Sequence, residues 1–172
     1  AKDSSEIENI FTTNDHLYQA FSTSTGKIDA QTKEVLRYRE ALLNGYLALK
    51  KKPILNTNLW IEIVQTIKIN TAGIRNVPGT IIGNPATGKT IYSPPEGEKI
   101  IRDLLRNLED YIHENDSVDP LIKLGIIHYQ FEAIHPFFDG NGRTGRILNI
   151  LYLNQMGLLE LPILYLSKYI IE

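Results

Sequence analysis

Apolar residues recur at helical spacing through most of this 172-residue chain, and this repetition constrains the fold more than any other feature. Five such segments begin near Asp29, Asn56, Ile100, Asp119 and Gly142. Asp29 and Asp119 are suited to cap helices, and a proline follows Asp119 at the first helical position. The pattern predicts an all-α fold in which each helix turns an apolar face toward a shared core.

The residues at this spacing identify the faces that we expect to be buried. The predicted inner faces consist of Val35, Leu36, Leu42, Leu43, Tyr46 and Leu47 in the first segment; Leu59, Trp60, Ile63, Val64 and Ile67 in the second; Ile100, Ile101, Leu104, Leu105, Leu108, Tyr111 and Ile112 in the third; Leu121, Leu124, Ile127, Phe131 and Ile134 in the fourth; and Ile147, Leu148, Ile150 and Leu151 in the fifth. A chain of this length can bury them in one core, as a single compact domain does.

One region, residues 71–95, interrupts the helical pattern with glycines, prolines and two short β-prone runs. The runs Gly79–Gly83 and Lys89–Ser93 flank a five-residue connection, Asn84–Gly88, which contains glycine. This arrangement predicts one β-hairpin on an otherwise helical body. A lone two-stranded hairpin has open edges, so an extended peptide could pair with it as an added strand. A surface loop without a role in binding is the alternative that these residues leave open.

Composition and charge argue against several other classes of protein. The apolar fraction of 42% and the charged fraction of 22% are ordinary for a globular domain. No apolar run approaches the roughly 18 residues of a membrane span, and the polar N-terminus does not resemble a secretory signal. A net charge of −2 argues against a strongly basic nucleic-acid surface and leaves a local basic patch as the alternative. The lack of cysteine excludes disulfides and thiolate metal sites. The expected compartment is the cytoplasm.

Both ends of the chain suggest that it belongs to something longer. The chain begins with Ala1 rather than methionine, and it stops within SKYIIE, which still has a helical pattern. We therefore expect a fragment of a longer chain. A complete, processed small protein is the alternative.

The densest polar feature is the segment HPFFDGNGRTGR, residues 135–146, which lies between two predicted helices. The second helix presents its N-terminus, with free N–H groups and the positive end of its dipole, to this loop. Gly140 and Gly142 allow the backbone to approach an anion closely. Arg143 and Arg146 lie three residues apart on one face of the first turn, and two guanidinium groups there suit a polyphosphate. The loop is therefore predicted to bind phosphate groups.

Two further side chains complete this candidate site. Asp139 adds one carboxylate beside the phosphates, which is how Mg²⁺ is commonly bound. His135, with an ordinary pKa of about 6.5, can accept a proton from a hydroxyl nucleophile at cellular pH. Each feature alone has a simpler explanation, because helix-end histidines, Asp-Gly-Asn-Gly turns and solvated arginines are all common. Their joint occurrence within one loop favours a catalytic role.

These residues resemble the signature of the Fic family, HxFx(D/N)GNGRxxR, and every defining position of that signature is matched. The hairpin that ends in IYSPP is similar to the flap of the family, and the surrounding helices are similar to its helical core. The resemblance covers nearly the whole chain. It implies a Fic-type helical bundle with one β-hairpin flap near the active site. Residues 29–172 would form the core domain, residues 71–95 the flap, and residues 135–146 the signature loop.

The resemblance also implies roles for individual residues. His135 is implied to be the general base that deprotonates a serine, threonine or tyrosine of a target protein. Asp139 is implied to hold Mg²⁺ together with ATP, and Phe137 to anchor the loop by packing. The flap, residues 71–95, is implied to hold the target segment by main-chain pairing. The residues implied to bind ATP and its phosphates are Gly140, Asn141, Gly142, Arg143, Thr144, Gly145 and Arg146.

Gly142 bears on the type of reaction. Relatives of the Doc toxin type have lysine at this position and resemble kinases, whereas glycine favours transfer of AMP from ATP with pyrophosphate leaving. The resemblance therefore implies an enzyme, a protein adenylyltransferase. Three alternatives stay open: transfer of another nucleotide-derived phosphate group, removal of AMP by the same site, and a non-catalytic nucleotide-binding regulatory module.

A second pattern lies near the N-terminus, within residues 1–28. Ser4 and Glu8 are four residues apart and so share one face of a helix. They are similar to the family's inhibitory helix motif, (S/T)xxxE(G/N), with Asn9 in its last position. The resemblance implies that Glu8 pairs with Arg146 and keeps the α-phosphate of ATP out of line for attack. A serine cap followed by acidic residues in the first turn is the alternative.

The expected partners are ATP and a target protein docked on the flap, with no membrane and no nucleic acid. The sequence does not identify the target, its acceptor residue or the signal that relieves inhibition. It also leaves the oligomeric state open, a homodimer included.

Overall fold

The computed structural model describes residues 1–22, 28–84 and 86–171. Within these residues the chain forms eight helices and one two-stranded sheet. The elements are α1 (Lys2–Glu6), α2 (Asn14–Ser22), α3 (Ala30–Lys51), α4 (Thr57–Lys68), β1 (Ile82–Gly83), β2 (Thr90–Tyr92), α5 (Glu98–His113), α6 (Pro120–Ile134), α7 (Asn141–Gln155) and α8 (Leu166–Ile171). The predicted helical fold with one hairpin is confirmed. No helix in the described part of the chain is long and apolar enough to cross a membrane.

Helix α7 lies at the centre of the molecule. It packs against α1, α3, α4 and α6, and every residue from Ile147 to Leu153 is buried. A helix that is enclosed on all sides in this way is stabilised by its neighbours rather than by intrinsic propensity. On the α6 side, Phe131 contacts the ring of Trp60 edge-on, with centroids 5.7 Å apart, and also contacts Phe137. The loop between α6 and α7 is thereby attached to the centre of the core.

The predicted inner face is correct for α4 and partly wrong for α3. All five apolar residues predicted for α4 are buried. On α3, Leu43 and Leu47 are 47% and 48% exposed, whereas Ala41 and Gly45 are buried. Gly45 explains the difference, because a Cβ there would lie 3.0 Å from a methyl group of Leu151. Small residues set the buried face of α3, since they allow the closest approach of α7.

The predicted faces of α5, α6 and α7 are confirmed with two exceptions. Ile100 and Leu121 are exposed, whereas the other predicted residues are buried or pack against the core. Both exceptions lie in the first turn of their helix. The periodic pattern identifies a helix face, but it does not show how far along the helix a neighbour covers that face.

The hairpin is shorter than the sequence predicts. Its strands pair antiparallel, with Ile82 opposite Tyr92. The predicted connection, residues 84–88, includes Pro85, which lies outside the described residues. The hydroxyl group of Tyr92 donates a hydrogen bond to the carbonyl of Ala133 at 3.1 Å, near the end of α6. This bond holds the hairpin beside the loop that follows α6.

The N-terminal helix α1 docks onto the helical body. It packs against α3, α7 and α8, and both Ser4 and Ser5 are buried. The helix ends in a tight turn, in which the N–H of Ile10 donates to the carbonyl of Ser5 at 3.0 Å and Asn9 has a φ of 60°. Asparagine is one of the residues that adopt this left-handed conformation most readily. The turn brings the segment after α1 to the first turn of α7.

Candidate active site

Helix α6 ends at His135, whose backbone lies in the left-handed region with φ 49° and ψ 59°. Its N–H still donates to the carbonyl of Phe131 at 3.0 Å. A positive φ outside glycine is uncommon, and at this position it ends the helix abruptly. The imidazole is partly buried at the start of the loop, and its Nδ1 is shielded from solvent without a hydrogen-bond partner among the described residues.

Arg75, which the sequence analysis missed, fastens the loop to the end of α6. Its fully buried side chain donates to the carbonyls of His135 and Pro95, each at 2.6 Å, and of Ile134 at 3.2 Å. Its N–H donates to the carbonyl of Pro136 at 2.9 Å. The last carbonyls of a helix carry negative partial charge, so a guanidinium group is favourable there. The sequence signal is a lone arginine in an otherwise uncharged stretch, TAGIRNVPG.

Asn141 closes the loop on itself. Its Oδ1 accepts a hydrogen bond from the N–H of Phe137, and its Nδ2 donates to the carbonyl of the same residue, both at 2.8 Å. Asn141 and Phe137 are both buried, and Phe137 packs against Phe131. The side chain of Asn141 therefore holds the loop closed on Phe137. The nucleotide contact implied for Asn141 stays a prediction.

The loop turns into α7 at Gly140, which has a φ of 87° and no side chain with which to cap the helix. A Cβ at this position would lie 2.9 Å from a methyl group of Val64, so both the backbone and the available space favour glycine. The first N–H groups of α7, from residues 141–143, therefore face the loop without a side-chain cap. Together with the positive end of the helix dipole they can bind an anion.

Four charged side chains form a cluster beside this helix terminus, which we call the charged cluster: Glu34, Lys68, Asp139 and Arg143. Arg143, with a side chain only 3% exposed, donates to Glu34 through Nη1 and to Asp139 through Nη2, the latter at 3.2 Å. Lys68 Nζ lies 3.0 Å from Glu34 Oε1 and 2.6 Å from Asp139 Oδ2. Positive and negative groups alternate, so each charge has two opposite neighbours. Glu34 and Lys68 were missed because nothing in their local sequence distinguishes them from solvated charges.

Asp139 has the properties of a magnesium ligand. Partial burial raises its pKa, but the hydrogen bond and charge of Lys68, together with the charge of Arg143, hold the pKa of Asp139 below its ordinary value. The carboxylate is therefore ionised at neutral pH, and its side chain is 61% exposed. One exposed carboxylate beside an anion site is the donor that Mg²⁺ uses when it binds with nucleotide phosphates. These residues fit a magnesium ion that arrives with a nucleotide.

Arg146 is directed at the N-terminal segment. Its Nε donates to Ser4 Oγ at 2.7 Å, and its Nη2 donates to the carbonyl of Ser4 and to Glu8 Oε1, both at 2.8 Å. The structure thus brings together the three residues that the sequence connects through the inhibitory pattern. A phosphate group that needs this edge of the guanidinium must compete with Ser4 and Glu8.

Gly142 lies directly beneath this contact. A Cβ at position 142 would overlap Glu8 Oε1 and lie 3.0 Å from Nη1 of Arg146. Gly142 therefore makes room for the Glu8 carboxylate at the first turn of α7. Glycine at position 142 is therefore favoured for two reasons. The sequence predicts that it lets the backbone approach an anion, and in the structure it leaves space for Glu8.

His135 has the protonation state of a base. Burial lowers its pKa, the positive charge of Arg75 acts in the same direction, and the backbone of Glu132 and the charge of Glu8 oppose them. The net effect lowers the pKa of His135 from its ordinary value, which favours the neutral imidazole. A neutral imidazole beside an anion site can accept the proton of a hydroxyl group that attacks phosphorus.

Glu132 is a second partly buried acid that the sequence analysis missed. Burial raises its pKa to about 7, with Arg146 opposing and Glu8 adding to the shift. Its Oε1 is shielded from solvent, with no hydrogen-bond partner among the described residues, and a Cβ at Gly145 would overlap it. Gly145 therefore provides space for this carboxyl group. The sequence signal is an acidic residue within the apolar stretch FEAI.

Two residues predicted to bind nucleotide lie on the inner side of α7. Thr144 is fully buried, its N–H donates to the carbonyl of Gly140 at 2.9 Å, and its hydroxyl group is enclosed. Gly145 faces Glu132. Thr144 therefore lies in the core. Other residues of the predicted site lie in the loop or in the first two turns of α7: Asp139, Gly140, Gly142, Arg143 and Arg146.

Comparison with known proteins agrees with this architecture. The Fic/DOC family model matches residues 54–153, and the Fic/DOC family N-terminal model matches residues 1–47. The architecture is a helical bundle with the loop of residues 135–140 between α6 and α7 and a hairpin beside that loop. The chain belongs to the Fic/DOC family, as the sequence resemblance predicts.

Curated relatives match part of the chain. A probable protein adenylyltransferase of Aquifex aeolicus (strain VF5) is 39% identical over 79 residues, which cover 46% of this chain and 24% of that protein. The protein adenylyltransferase Fic of Drosophila willistoni is 27% identical over 151 residues, which cover 77% of this chain and 30% of that protein. The chain therefore spans less than a third of the length of these relatives.

Solved structures share the fold. A Fic domain containing signaling protein from Bacteroides thetaiotaomicron superposes with a TM-score of 0.74 at 22% identity, covering 90% of this chain and 60% of that chain. Fic-1 from C. elegans superposes with a TM-score of 0.67 at 20% identity, covering 90% of this chain and 46% of that chain. At this level of identity the likeness concerns the fold.

Proposed function

We propose that this chain is a protein adenylyltransferase, which transfers AMP from ATP to a serine, threonine or tyrosine hydroxyl of a target protein. The observation that carries the proposal is the loop at residues 135–146, in which a neutral imidazole, an uncapped helix N-terminus and an exposed carboxylate lie together. The names of the curated relatives support the same activity. We propose the cytoplasm, which supplies ATP and Mg²⁺, as the compartment.

In the proposed reaction, the hydroxyl oxygen of the target attacks the α-phosphorus of ATP. A bond forms between that oxygen and phosphorus, and the bond to the bridging oxygen of pyrophosphate breaks. His135 accepts the hydroxyl proton, and pyrophosphate leaves with the electron pair of the broken bond. Burial of His135 prepares it for this role, because it keeps the imidazole unprotonated before the attack.

The rest of the loop holds the nucleotide in this proposal. The N–H groups of residues 141–143 bind phosphate oxygens at the start of α7, and Arg143 and Arg146 supply positive charge. Asp139 would hold Mg²⁺, which when bound would neutralise negative charge on the phosphates. Asn141 contributes by keeping the loop closed through its two hydrogen bonds to Phe137.

We further propose that residues 1–28 inhibit the core domain, residues 29–172. Glu8 and Ser4 hold the edge of Arg146 that would otherwise bind the γ-phosphate. ATP would still bind, but its α-phosphate would be held out of line with the attacking hydroxyl. Transfer of this kind depends on alignment, so a small displacement lowers the rate greatly.

The flap hairpin, residues 71–95, is the proposed docking site for the target. Ile81 and Ile91 are exposed on it, and its two strands form a sheet of their own within the described residues. An extended peptide can pair along such an edge. The hydrogen bond from Tyr92 to Ala133 holds the flap near the end of α6, where His135 follows. A docked hydroxyl group would therefore be presented close to the base.

Transfer of label from ATP labelled at the α-phosphate tests the inhibitory contact and the reaction together. Glu8→Gln should raise labelling of target or self about tenfold, because a neutral amide binds a guanidinium less strongly than a carboxylate does. Glu6→Gln, in α1, is the matched control and should leave labelling unchanged. Equal labelling of the wild type and Glu8→Gln would refute inhibition by Glu8.

The chemistry is tested in the Glu8→Gln background. Adding His135→Ala should abolish labelling while ADP binding persists, because the base is lost and the phosphate loop remains. His16→Ala, at an exposed histidine of α2, is the control. Mass spectrometry of the product should show addition of AMP. In a parallel reaction, transfer of label from ATP labelled at the γ-phosphate would identify phosphoryl transfer and would overturn the proposal.

A further inference from the structure

Lys68 reaches the candidate active site from α4, outside the signature loop. It is the last residue of α4, and its Nζ lies 2.6 Å from Asp139 Oδ2 and 3.0 Å from Glu34 Oε1. The side chains of Lys68 and Glu34 are 24% and 17% exposed. This pair is partly shielded from water, so it orders the ammonium group more strongly than a fully exposed pair would.

The aliphatic part of the Lys68 side chain lies close to Gly140. Its Cγ and Cδ lie 3.7 and 3.9 Å from the position that a Cβ at Gly140 would take. These are ordinary van der Waals distances, so the stem of Lys68 lies beside the backbone that precedes α7. This packing delivers a positive charge to the anion-binding end of α7 from a different helix.

The ammonium group contacts the carboxylate that fits Mg²⁺. Asp139 directs Oδ2 to Lys68 and Oδ1 to Arg143, so both of its oxygens contact cations of the protein. A magnesium ion on Asp139 would therefore compete with these cations for the carboxylate. Lys68 is the more exposed of the two cations and is a compact point charge on a flexible stem, so it is the one that can move away.

We propose that Lys68 is a positioning residue that holds Asp139 as a substitute cation until nucleotide and Mg²⁺ bind. Lys68 then leaves Asp139 and stays on Glu34, next to the anion site, where its charge attracts phosphate. The inference rests on the proposed nucleotide binding by this loop. It extends that function to two residues outside the signature, Lys68 and Glu34.

This role predicts how Mg²⁺ changes nucleotide affinity. Without the metal, Lys68 offsets the charge of Asp139 and attracts phosphate, so losing the lysine weakens binding. With the metal, Lys68 competes for Asp139, so losing the lysine removes a competitor. The quantity to compare is the ratio of the ADP dissociation constant without Mg²⁺ to that with Mg²⁺. Lys68→Met keeps the apolar stem of the side chain and removes its charge. This ratio should therefore be about fivefold larger in Lys68→Met than in the wild type, which is the effect of one partly shielded ion pair.

The experiment measures the dissociation constant of ADP by calorimetry, once with excess Mg²⁺ and once with EDTA. ADP lacks the γ-phosphate that would meet the Glu8 contact, so the wild-type chain can be used. Lys68→Arg keeps the charge and should retain a factor near that of the wild type. Lys99→Met, at an exposed lysine of α5, is the matched control. Lys68→Gln carries the same expectation as Lys68→Met and covers the case in which the methionine variant fails to fold.

An unchanged factor in both neutral variants would overturn the role of Lys68, because a lysine that only stabilises the fold changes both dissociation constants alike. In that case ADP binding by the wild type still supports the proposed function. A wild-type chain that binds no ADP, with or without Mg²⁺, overturns the proposed nucleotide function and this inference with it.

Discussion

Any side chain at position 142 would compete with Glu8 for the same space at the first turn of α7. A methyl group at position 142 would overlap Glu8 Oε1, and the flexible carboxylate is the partner that must move. We therefore expect Gly142→Ala to weaken the ion pair between Glu8 and Arg146. Transfer from ATP labelled at the α-phosphate should rise about threefold, a fraction of the effect of losing the pair entirely.

The same substitution in the Glu8→Gly background separates this effect from any effect on nucleotide binding. With no side chain at position 8 there is no carboxylate to displace, so Gly142→Ala should bring no further rise there. If Gly142→Ala lowers transfer by the same factor in both backgrounds, the overlap with Glu8 has no influence on inhibition.

The raised pKa of Glu132 makes the free energy of unfolding depend on pH. Its pKa is about 7 in the folded chain and ordinarily 4.5, so between these values the folded state binds more protons than the unfolded state. The free energy of unfolding therefore falls as the pH rises from about 4.5 to about 7. Glu132→Gln should remove this slope and should be more stable than the wild type at pH 8 by about 2 kcal/mol, allowing for partial exposure.

Urea denaturation at pH 5 and at pH 8 measures this difference. Glu40→Gln, at an exposed glutamate of α3, is the control and should leave the slope unchanged. A slope that is the same in the wild type and in Glu132→Gln would show that Glu132 is ionised without cost in the folded chain.

Arg75 connects α6, the signature loop and the segment before α5. It donates to Ile134, the last residue of α6, to His135, the first residue of the loop, and to Pro95, just before α5. Arg75→Met should lower the free energy of unfolding by about 3 kcal/mol, because buried carbonyls lose their donor. It should also lower transfer in the Glu8→Gln background, since His135 loses the bond that fixes its backbone.

Chemical denaturation and labelled transfer check both effects of Arg75→Met. Arg102→Met removes an exposed pair with Glu98 on α5 and serves as the control, with little change expected in either measurement. An Arg75→Met chain as stable as the wild type would contradict the proposed attachment of the loop.

The inhibitory segment and the body of the molecule share a buried surface as well as an ion pair. α1 packs against α3, α7 and α8, and Ser4 and Ser5 are buried there, whereas the Glu8 side chain is 36% exposed. Deleting residues 1–9 should therefore raise transfer and lower the free energy of unfolding by about 2 kcal/mol. Glu8→Gln should raise transfer with a loss of about 1 kcal/mol, as for a partly shielded pair.

Thermal unfolding and labelled transfer on both variants distinguish the two contributions. If Glu8→Gln is as destabilising as the deletion, inhibition cannot be separated from the packing of α1. If the deletion leaves the stability unchanged, the surface beneath α1 contributes nothing to the fold.

Sequence patterns that extend over a few residues were sufficient to predict the helices and the signature loop of this protein. Helical periodicity and capping residues determine the helices, and the signature loop is one continuous segment, so its residues are neighbours by covalent connection. The family resemblance predicts the pairing of Glu8 with Arg146 across 138 residues, and the structure contains that contact. The nucleotide and catalytic roles of the loop remain predictions.

Only the tertiary structure decided which distant residues complete the site. Glu34 contacts Arg143 across 109 residues and Arg75 contacts His135 across 60, while Lys68 reaches Asp139 from α4. Charged side chains attract each other through space. The residues that neighbour such a side chain in the sequence do not indicate which distant charge it will pair with. In the same way, Gly45 set the buried face of α3 because its size matters only where α7 approaches it. The sequence by itself determined the helices and the loop, and packing determined the residues that hold the loop in place.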